Sequence, residues 1–370
     1  MTTVAFYNIS RRSAAAEILS YPVISYMMDA CSASDSFFCS CELDGIDKRT
    51  RTFDSIAGLK AAFGDDDRVL LFFAAAPTLK AETVTRLLDA SAEGVALLHR
   101  GKNNVALCLP AKLLSDDVLS LGAQVQVEIP DGEWMIADTA ENLYVLQEQL
   151  RRRINMGWMK KGVFLVDPNT THISPFTTIG EGTVILPNCQ LYGRCEIGAD
   201  CRIGPNSMLT DTVLGDGSSV NASQITSSRI GKNTTVGPFA YIRPDCAVGD
   251  SCRIGDFVEL KNSNVGDGTK VSHLTYIGDS DFGSKINVGC GVVTVNYDGK
   301  SKYRTQVGDG SFVGCNVNLV APVKVESGAY IAAGSTITDT VPAGSLAIAR
   351  QTQTVKDGWA DKRRKDGKLK

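Results

Sequence analysis

The sequence has no apolar run near the roughly 18–20 residues that a membrane-spanning helix requires. Its strongest apolar run, residues 69–76, has the length of a buried strand. Arg11 and Arg12 could be mistaken for a twin-arginine export signal, but Glu17 interrupts the stretch that follows and no cleavage site appears. These absences predict a cytoplasmic protein without a membrane span.

An excess of charge is also missing, because the net charge is only −3. That balance gives no electrostatic case for nucleic acid as a partner. A complete disulfide framework is excluded too, since eleven cysteines cannot all pair within one chain. Histidine is scarce, at three residues, whereas glycine is abundant, at 35 residues without a collagen period. Abundant glycine favours a fold with many tight turns.

The residue pattern divides the chain into four parts. Residues 1–137 mix short apolar strands with helical stretches and predict a small α/β domain. Residues 138–162 predict a connector helix, and residues 163–340 contain an internal repeat. Residues 341–370 form a tail with a basic end, which is either a solvated segment or a contact for phosphates or for a neighbouring subunit.

The connector helix is predicted from its cap and its periodicity. Asp138 or Thr139 can cap its start, and an apolar stripe recurs along residues 143–154. The basic triplet 151–153 falls near the predicted end, where cations favour the helix dipole. The helical stretch is predicted over residues 138–155, and Gly157 and Gly162 then end the segment.

An apolar repeat begins at Ile173 and continues almost to the tail in steps of six residues, with three steps of five and two longer gaps after which the register resumes at Ile230 and Val307. The repeated positions are 173, 179, 185, 191, 197, 203, 209, 214, 220, 230, 236, 242, 248, 254, 260, 265, 271, 277, 282, 288, 294, 307, 313, 319, 325, 331 and 337. Chance does not hold such a period over so long a stretch. The pattern predicts a parallel β-helix, coiled as a triangular prism with one inward apolar residue on each short face. It resembles that of hexapeptide-repeat proteins, which implies a left-handed β-helix.

Most cysteines in this region follow the repeat. Five of them lie four places after an apolar repeat position, in a small inward slot: Cys189, Cys195, Cys201, Cys246 and Cys252. They are therefore predicted to pack inside the prism and not to bind a metal. Cys290 and Cys315 differ, because each follows its repeat residue by two places and falls near a corner.

Several polar residues lie on the outer surface of the predicted prism, which we call the wall, and are not required by the repeat pattern. Arg243 and Lys261 are 18 residues apart without a register slip, so they should occupy one corner of successive coils, about 5 Å apart. Two cations at that separation repel each other unless an anion lies between them. They are either two solvated cations or a phosphate site, in which arginine supplies a fork and lysine a point charge.

His273 follows Lys261 by less than one coil, and Tyr276 lies three residues later. A single histidine in a turn is more often structural, but beside paired cations it becomes a candidate general base. Residues 295–306 then interrupt the repeat. This insertion is either a tolerated loop or a ligand-binding one.

Longer motifs occur in the same region, among them FVELK, HLTYIGD, INVGCG, VNYDGKSKYRT and ARQTQTVKDGW. From about residue 151 to 359 the chain resembles the acetyltransferase half of the bifunctional N-acetylglucosamine-1-phosphate uridyltransferase/glucosamine-1-phosphate acetyltransferase family. The resemblance implies a homotrimer that transfers an acetyl group from acetyl-CoA to the amine of glucosamine 1-phosphate, as a step towards UDP-N-acetylglucosamine.

The resemblance also implies a role for each matching residue. His273 matches the general base, and Glu259 is expected to orient the site. The implied acceptor residues are Arg243, Lys261, Tyr276, Asn287 and Lys302, and the implied acetyl and coenzyme A residues are Asn296, Tyr297, Cys290, Cys315, Ala333 and Arg350. Hydrogen-bond donors at the acetyl group would stabilise an oxyanion there. The family usually has alanine at Cys290 and often serine at Cys315, and these contacts are expected to tolerate the change.

The first half departs from the family. Its start, residues 4–22, contains no glycine where the family has a glycine-rich phosphate loop. Ala75 replaces the magnesium-binding aspartate, and Asp138 stands at the second ligand position. The resemblance thus implies a shortened, degenerate nucleotidyltransferase domain without magnesium or uridyl transfer. Three alternatives stay open: another amino-sugar phosphate as acceptor, retained uridyltransferase activity, and a non-catalytic trimeric scaffold.

Overall fold

The computed structural model describes residues 2–7, 9, 15, 17–19, 21–32, 34, 36–40, 50–135 and 137–370. Arg11, Arg12 and six other residues of the stretch 4–22, which replaces the glycine-rich loop, lie outside the described residues. Within the described part of the chain, no helix is long and apolar enough to cross a membrane. The chain forms two compact units, the first of residues 1–179 with 185–195 and the second of residues 180–184 with 196–370. The four-part division from the sequence stays a prediction.

The first unit is built on a seven-stranded sheet. In spatial order its strands are Thr50–Thr52, Ser36–Cys39, Thr2–Phe6, Arg68–Phe72, Asn103–Pro110, Ala96–Arg100 and Val125–Glu128. Asn103–Pro110 runs antiparallel to its neighbours, and the other pairs are parallel. The remaining elements are α1 (Val23–Ala30), α2 (Ile56–Lys60), α3 (Ala81–Ala90), α4 (Ala140–Lys160), the 3-10 turns Ser91–Glu93, Ala111–Leu113 and Val118–Ser120, and the ribbon Glu17–Ile18 with Tyr21–Pro22. The predicted α/β class is confirmed.

This sheet has an apolar core on each face, because side chains alternate in direction along a strand. Leu70 and Phe72 pack into one core cluster, whereas Val69 and Leu71 pack into the other. The apolar run that the sequence identifies as a buried strand is therefore the centre of this unit.

Helix α4 is longer than the sequence predicts. Thr139 caps its start as expected, by accepting a hydrogen bond from a first-turn amide at 3.1 Å. Gly157 lies inside the helix, which continues to Lys160, so the helical stretch predicted over residues 138–155 ends too early. Arg151 is not a solvated cation in the last turn, since it is 6% exposed and forms an ion pair with Glu148.

The first unit also contains the short strands Phe164–Leu165, His172–Ile173, Thr178–Ile179 and Gln190–Tyr192, and the residues of Val184–Ile185 are divided between the two units. The second unit is a prism of three parallel sheets. Sheet I contains Arg202–Ile203, Ser219–Val220, Thr235–Val236, Arg253–Asp256, Lys270–His273, Asn287–Val288, Phe312–Val313, Tyr330–Ile331 and Leu346–Ala347. Sheet II contains Met208–Thr210, Gln224–Thr226, Tyr241–Ile242, Glu259–Lys261, Tyr276–Gly278, Val293–Val295, Asn318–Val320 and Thr336–Ile337. Sheet III contains Glu196–Ile197, Val213–Leu214, Arg229–Ile230, Ala247–Val248, Asn264–Val265, Ser280–Phe282, Thr305–Val307 and Val323–Val325, and helix α5 (Trp359–Lys365) follows.

The repeat positions fill the interior of this prism. Every apolar repeat position named above is buried, and so is Ile225 on the strand Gln224–Thr226, which the sequence pattern passed over. The five inward cysteines are buried as predicted, whereas Cys290 is half-buried and Cys315 is exposed. The predicted left-handed parallel β-helix is confirmed.

Candidate active site

Arg243 and Lys261 lie on neighbouring coils of sheet II. The Arg243 amide donates to the carbonyl of Leu260 at 2.9 Å, so the two cations follow equivalent inward residues. Arg243 Nη1 also lies 2.9 Å from Glu259 Oε1. This hydrogen bond raises the pKa of Arg243 above its ordinary value. The two predicted site residues Arg243 and Glu259 thus form one ion pair on the wall.

Lys302 comes to the same place through the loop that interrupts the repeat, residues 295–306. Asp298 Oδ1 accepts a hydrogen bond from the Ser301 amide at 2.7 Å and so closes a tight turn. Tyr297 and Lys302 pair across this turn as an antiparallel bridge. The insertion is therefore a short hairpin that returns a lysine to the wall.

The hairpin brings Lys302 near Lys261. The Thr305 amide donates to the carbonyl of Asp279 at 3.2 Å, and the Asp279 amide donates to the carbonyl of Lys261 at 2.9 Å. The neighbouring Lys302 side chain is the largest cause that lowers the pKa of Lys261; desolvation and the charges of Lys302 and Arg243 act in the same direction, and the Asp279 carboxylate opposes the shift. Neighbouring like charges are stabilised by an anion between them, as a phosphate site requires.

Asp279 is a polar residue of this cluster that the sequence reasoning missed. It is 6% exposed, and its Oδ1 accepts a hydrogen bond from Asn262 Nδ2 at 2.6 Å. Its other oxygen accepts from Asn296 Nδ2. Burial alone would raise the pKa of Asp279, but these hydrogen bonds and the charges of Lys261 and Lys302 lower it. The Asn296 amide, predicted to face the acetyl group, instead donates inside the protein.

The side chains of Tyr276 and Asn296 both approach Gly278, and they can do so because glycine has no side chain. A methyl group built on Gly278 would come 2.3 Å from Tyr276 Oη and 2.9 Å from Asn296 Nδ2. Gly278 is also the register partner of Lys261 on sheet II. The phenol, the amide and the lysine therefore surround a single backbone position that has no side chain.

His273 ends a strand of sheet I, just before the turn that leads into Tyr276–Gly278. Its Nδ1 lies 2.5 Å from Asp256 Oδ1. Both residues are partly exposed, with 51% of the histidine side chain and 36% of the aspartate side chain accessible. The hydrogen bond to His273 is the main cause that lowers the pKa of Asp256. The carboxylate that contacts His273 is thus Asp256, which the sequence reasoning missed, and not Glu259.

Three predicted coenzyme A residues follow His273 along one corner of the prism, in a column with one residue on each coil. The Gly291 amide donates to the carbonyl that follows His273, that of Leu274, at 3.1 Å. One coil further on, the Asn316 amide donates to the carbonyl of Cys290 at 2.8 Å, and the next coil repeats the pattern from Gly334 to Cys315. His273, Cys290, Cys315 and Ala333 therefore occupy equivalent positions of successive coils. A methyl group on Gly334 would lie 3.7 Å from Arg350 Cδ, which brings the fourth predicted residue to the end of this column.

Asn287 lies on another sheet than the cation cluster, and Tyr297, although its backbone pairs with Lys302, has its hydroxyl engaged within the hairpin. Asn287 lies on sheet I, where it pairs with Lys270 on one side and Phe312 on the other. Tyr297 is 55% exposed, and its hydroxyl donates to the carbonyl of Gly299 at 2.6 Å, within its own hairpin. The site thus has a cation cluster on sheet II and a histidine with a column of small residues at the adjoining corner.

Comparison with protein families agrees with the prism. The bacterial transferase hexapeptide model, six repeats long, matches residues 176–211, 227–262 and 304–339. The chain is 48% identical over 253 residues to the bifunctional protein GlmU of Clostridioides difficile, covering 68% of this chain and 55% of that protein. It is 52% identical over 241 residues to the GlmU of Thermoanaerobacter pseudethanolicus, covering 65% and 53%. The chain spans about half the length of the curated relatives it matches.

Two kinds of solved structure are similar to this chain. A UDP-N-acetylglucosamine acyltransferase from Francisella novicida is 18% identical, with a TM-score of 0.33, over 50% of this chain and 67% of that one. A 4-diphosphocytidyl-2C-methyl-D-erythritol synthase is 13% identical, with a TM-score of 0.32, over 40% of this chain and 97% of that one. Scores this low add nothing to what the chain's own sheets show.

Proposed function

We propose that the chain transfers the acetyl group of acetyl-CoA to the amine of glucosamine 1-phosphate, because it is 48% and 52% identical to two GlmU proteins over 68% and 65% of its length. The product would be N-acetylglucosamine 1-phosphate for UDP-N-acetylglucosamine synthesis. We further propose that the protein acts in the cytoplasm and as a homotrimer.

The observation that supports this most is the convergence of three cations on one corner of the wall. Arg243 and Lys261 lie on neighbouring coils, and the hairpin that carries Lys302 is hydrogen-bonded to Asp279 beside them. A sugar phosphate would neutralise this excess of positive charge. His273 lies at the adjoining corner, where its imidazole would take a proton from the amine of the same sugar. The column of Cys290, Cys315 and Ala333 would then receive coenzyme A.

The two positions at which the resemblance expects magnesium ligands, Ala75 and Asp138, do not fit the magnesium ion of a uridyltransferase. Ala75 offers no oxygen ligand on its side chain and is 2% exposed. Asp138, at the second position, accepts a hydrogen bond from Asn142 Nδ2 at 2.6 Å. Among the described residues, no group of three or more His, Cys, Asp or Glu could hold a metal. We therefore propose that uridyl transfer has been lost.

One preparation of the full chain tests both statements. With acetyl-CoA and glucosamine 1-phosphate, chromatography should detect free coenzyme A and the acetylated sugar phosphate. His273→Ala should lower this rate by about 10²–10⁴-fold, the usual contribution of a general base, while His99→Ala in the first unit should leave it unchanged. With UTP, N-acetylglucosamine 1-phosphate and magnesium, no pyrophosphate should appear.

The outcomes separate the alternatives. No turnover of glucosamine 1-phosphate contradicts the assignment, and turnover of another amino-sugar phosphate would replace the acceptor. Absence of acetyl transfer to every acceptor would favour a scaffold. Release of pyrophosphate would show that the first unit is still a uridyltransferase.

A further inference from the structure

The pair Asp256 and His273 is built into the backbone of the prism. Each residue ends a strand of sheet I, Arg253–Asp256 and Lys270–His273, and the two are register partners on neighbouring coils. Their side chains therefore leave the wall side by side, and the 2.5 Å contact between Nδ1 and Oδ1 needs no long reach. The pairing is a consequence of the coil spacing.

Of the two nearby carboxylates, Asp256 and Glu259, only Asp256 is hydrogen-bonded to the His273 imidazole. Glu259, the carboxylate expected from the sequence, is engaged with Arg243 at 2.9 Å. The charge of Arg253, on the strand of Asp256, acts on that carboxylate. On the other side of His273, one coil further along the column, lies Cys290. Carboxylate, imidazole and thiol thus occupy three successive coils.

We propose that Asp256 is a positioning residue for His273, which holds the imidazole with its proton on Nδ1 and leaves Nε2 free to accept one. This proposal rests on the proposed acetyl transfer. A carboxylate oxygen only accepts hydrogen bonds, so a short contact with Nδ1 requires the proton on that nitrogen. In the neutral ring the second nitrogen is then an acceptor, the form a general base needs.

The contact between Asp256 and His273 also stabilises the protonated imidazole that forms when His273 accepts a proton from the amine. The amine nitrogen attacks the thioester carbonyl carbon, a C–N bond forms, and the proton lost by the nitrogen passes to His273 Nε2. The C–S bond then breaks, and the coenzyme A sulfur leaves as a thiolate that takes up a proton. His273 carries a positive charge meanwhile, and the Asp256 carboxylate stabilises it by opposite charge, as the aspartate does in a Ser-His-Asp triad.

Asp256→Asn tests the role while preserving the size of the side chain. The amide can donate to Nδ1, which would favour the wrong tautomer. We expect kcat to fall about 10- to 100-fold, part of what a general base contributes, with little change in KM for glucosamine 1-phosphate. Asp256→Glu should recover part of the rate. The control is Asp216→Asn, which removes an exposed 2.9 Å ion pair with Lys232 elsewhere on the prism.

Two further readouts distinguish positioning from a structural contribution. The chain has only three histidines, so nitrogen NMR with His273→Gln as a reference can assign the His273 ring. Its proton should lie on Nδ1 in the parent and shift towards Nε2 in Asp256→Asn. The acidic limb of the pH–rate profile should also move to lower pH in the variant, since the carboxylate no longer favours the protonated ring.

An active parent with an unchanged rate and an unchanged tautomer in Asp256→Asn would overturn the proposal. A lower rate with parent tautomer and parent pH–rate profile would also overturn it, because the loss would then be structural. An inactive parent would refute the proposed function, whereas the tautomer measurement would still report on the Asp256–His273 contact.

Discussion

Replacing Gly278 by alanine should damage acceptor binding without unfolding the prism. The new methyl group would lie 2.3 Å from Tyr276 Oη and 2.6 Å from Tyr276 Cζ, whereas ordinary contacts begin near 3.4 Å. The phenol must therefore retreat by about 1 Å, and a misplacement of that size can cost about 100-fold in rate. Tyr276 is half-buried at the surface, so its ring can swing outwards at a modest cost in stability.

The measurement is steady-state kinetics with glucosamine 1-phosphate as the varied substrate. We expect kcat/KM to fall about 10- to 100-fold and the melting temperature to fall by only a few degrees. Gly122→Ala is the matched control, because a methyl group there would meet nothing within 4 Å. In a Tyr276→Phe background the effect of Gly278→Ala should shrink, since both changes act through the same hydroxyl.

A parent value of kcat/KM in Gly278→Ala would refute the reasoning, because the wall would then tolerate a displaced phenol. Full additivity with Tyr276→Phe would show that the methyl group acts elsewhere, for example through Asn296. Loss of folding would mean that the ring cannot move outwards.

Two other changes test the cation cluster and its buried carboxylate. If the proposed function holds, Lys302→Gln should raise KM for glucosamine 1-phosphate about tenfold with a smaller effect on KM for acetyl-CoA, because it would remove one proposed phosphate contact. Equal effects on both constants would contradict the phosphate site. Lys324→Gln on sheet III is the control. Asp279→Asn should lower the urea midpoint at pH 7. The pKa of the Asp279 carboxylate is lowered in the folded protein, so its charge stabilises the fold above the unfolded-state pKa of about 3.9. This stabilisation is lost as pH falls through the folded-state pKa. The difference between variant and parent should therefore narrow at pH 3, and a constant difference would show that the charge of Asp279 is not the cause.

The fold of the prism is predictable because one requirement repeats along it. Each short face needs one inward apolar residue. In a run such as Ile242, Val248, Ile254 and Leu260 these residues recur at a constant spacing of six, so the pattern is easy to detect. Ile225 was missed because two consecutive five-residue steps surround it. The end of α4 was misjudged because a glycine costs only about 1 kcal/mol inside a helix, and the packing of the helix compensates for Gly157.

The partners of the site residues were harder to predict than their positions. Spacing places Arg243 next to Lys261, but it does not say which carboxylate turns towards which cation. Glu259 and Asp256 both lie within a few residues of the site, and only the strand register shows that Asp256 is the partner of His273. Asp279 was missed because an aspartate at a corner also serves the turn, and it does adopt the left-handed backbone with φ of 49°.

The location of the site follows from where the repeat is broken. After Leu260 and after Ile277 the next inward residue comes five positions later instead of six, and after Thr294 it comes thirteen positions later, at Val307. All three departures fall at the corner between sheets II and III. An inward position must be apolar or small, so the residues of a strict repeat can vary little. Where the number of residues at a corner changes, polar side chains can be directed towards one point. Lys261, Asp279 and Lys302 each lie within one of these breaks. Five-residue steps also precede Leu214 and flank Ile225 on both sides, so a single break does not mark the site, whereas three breaks on successive coils at one corner do.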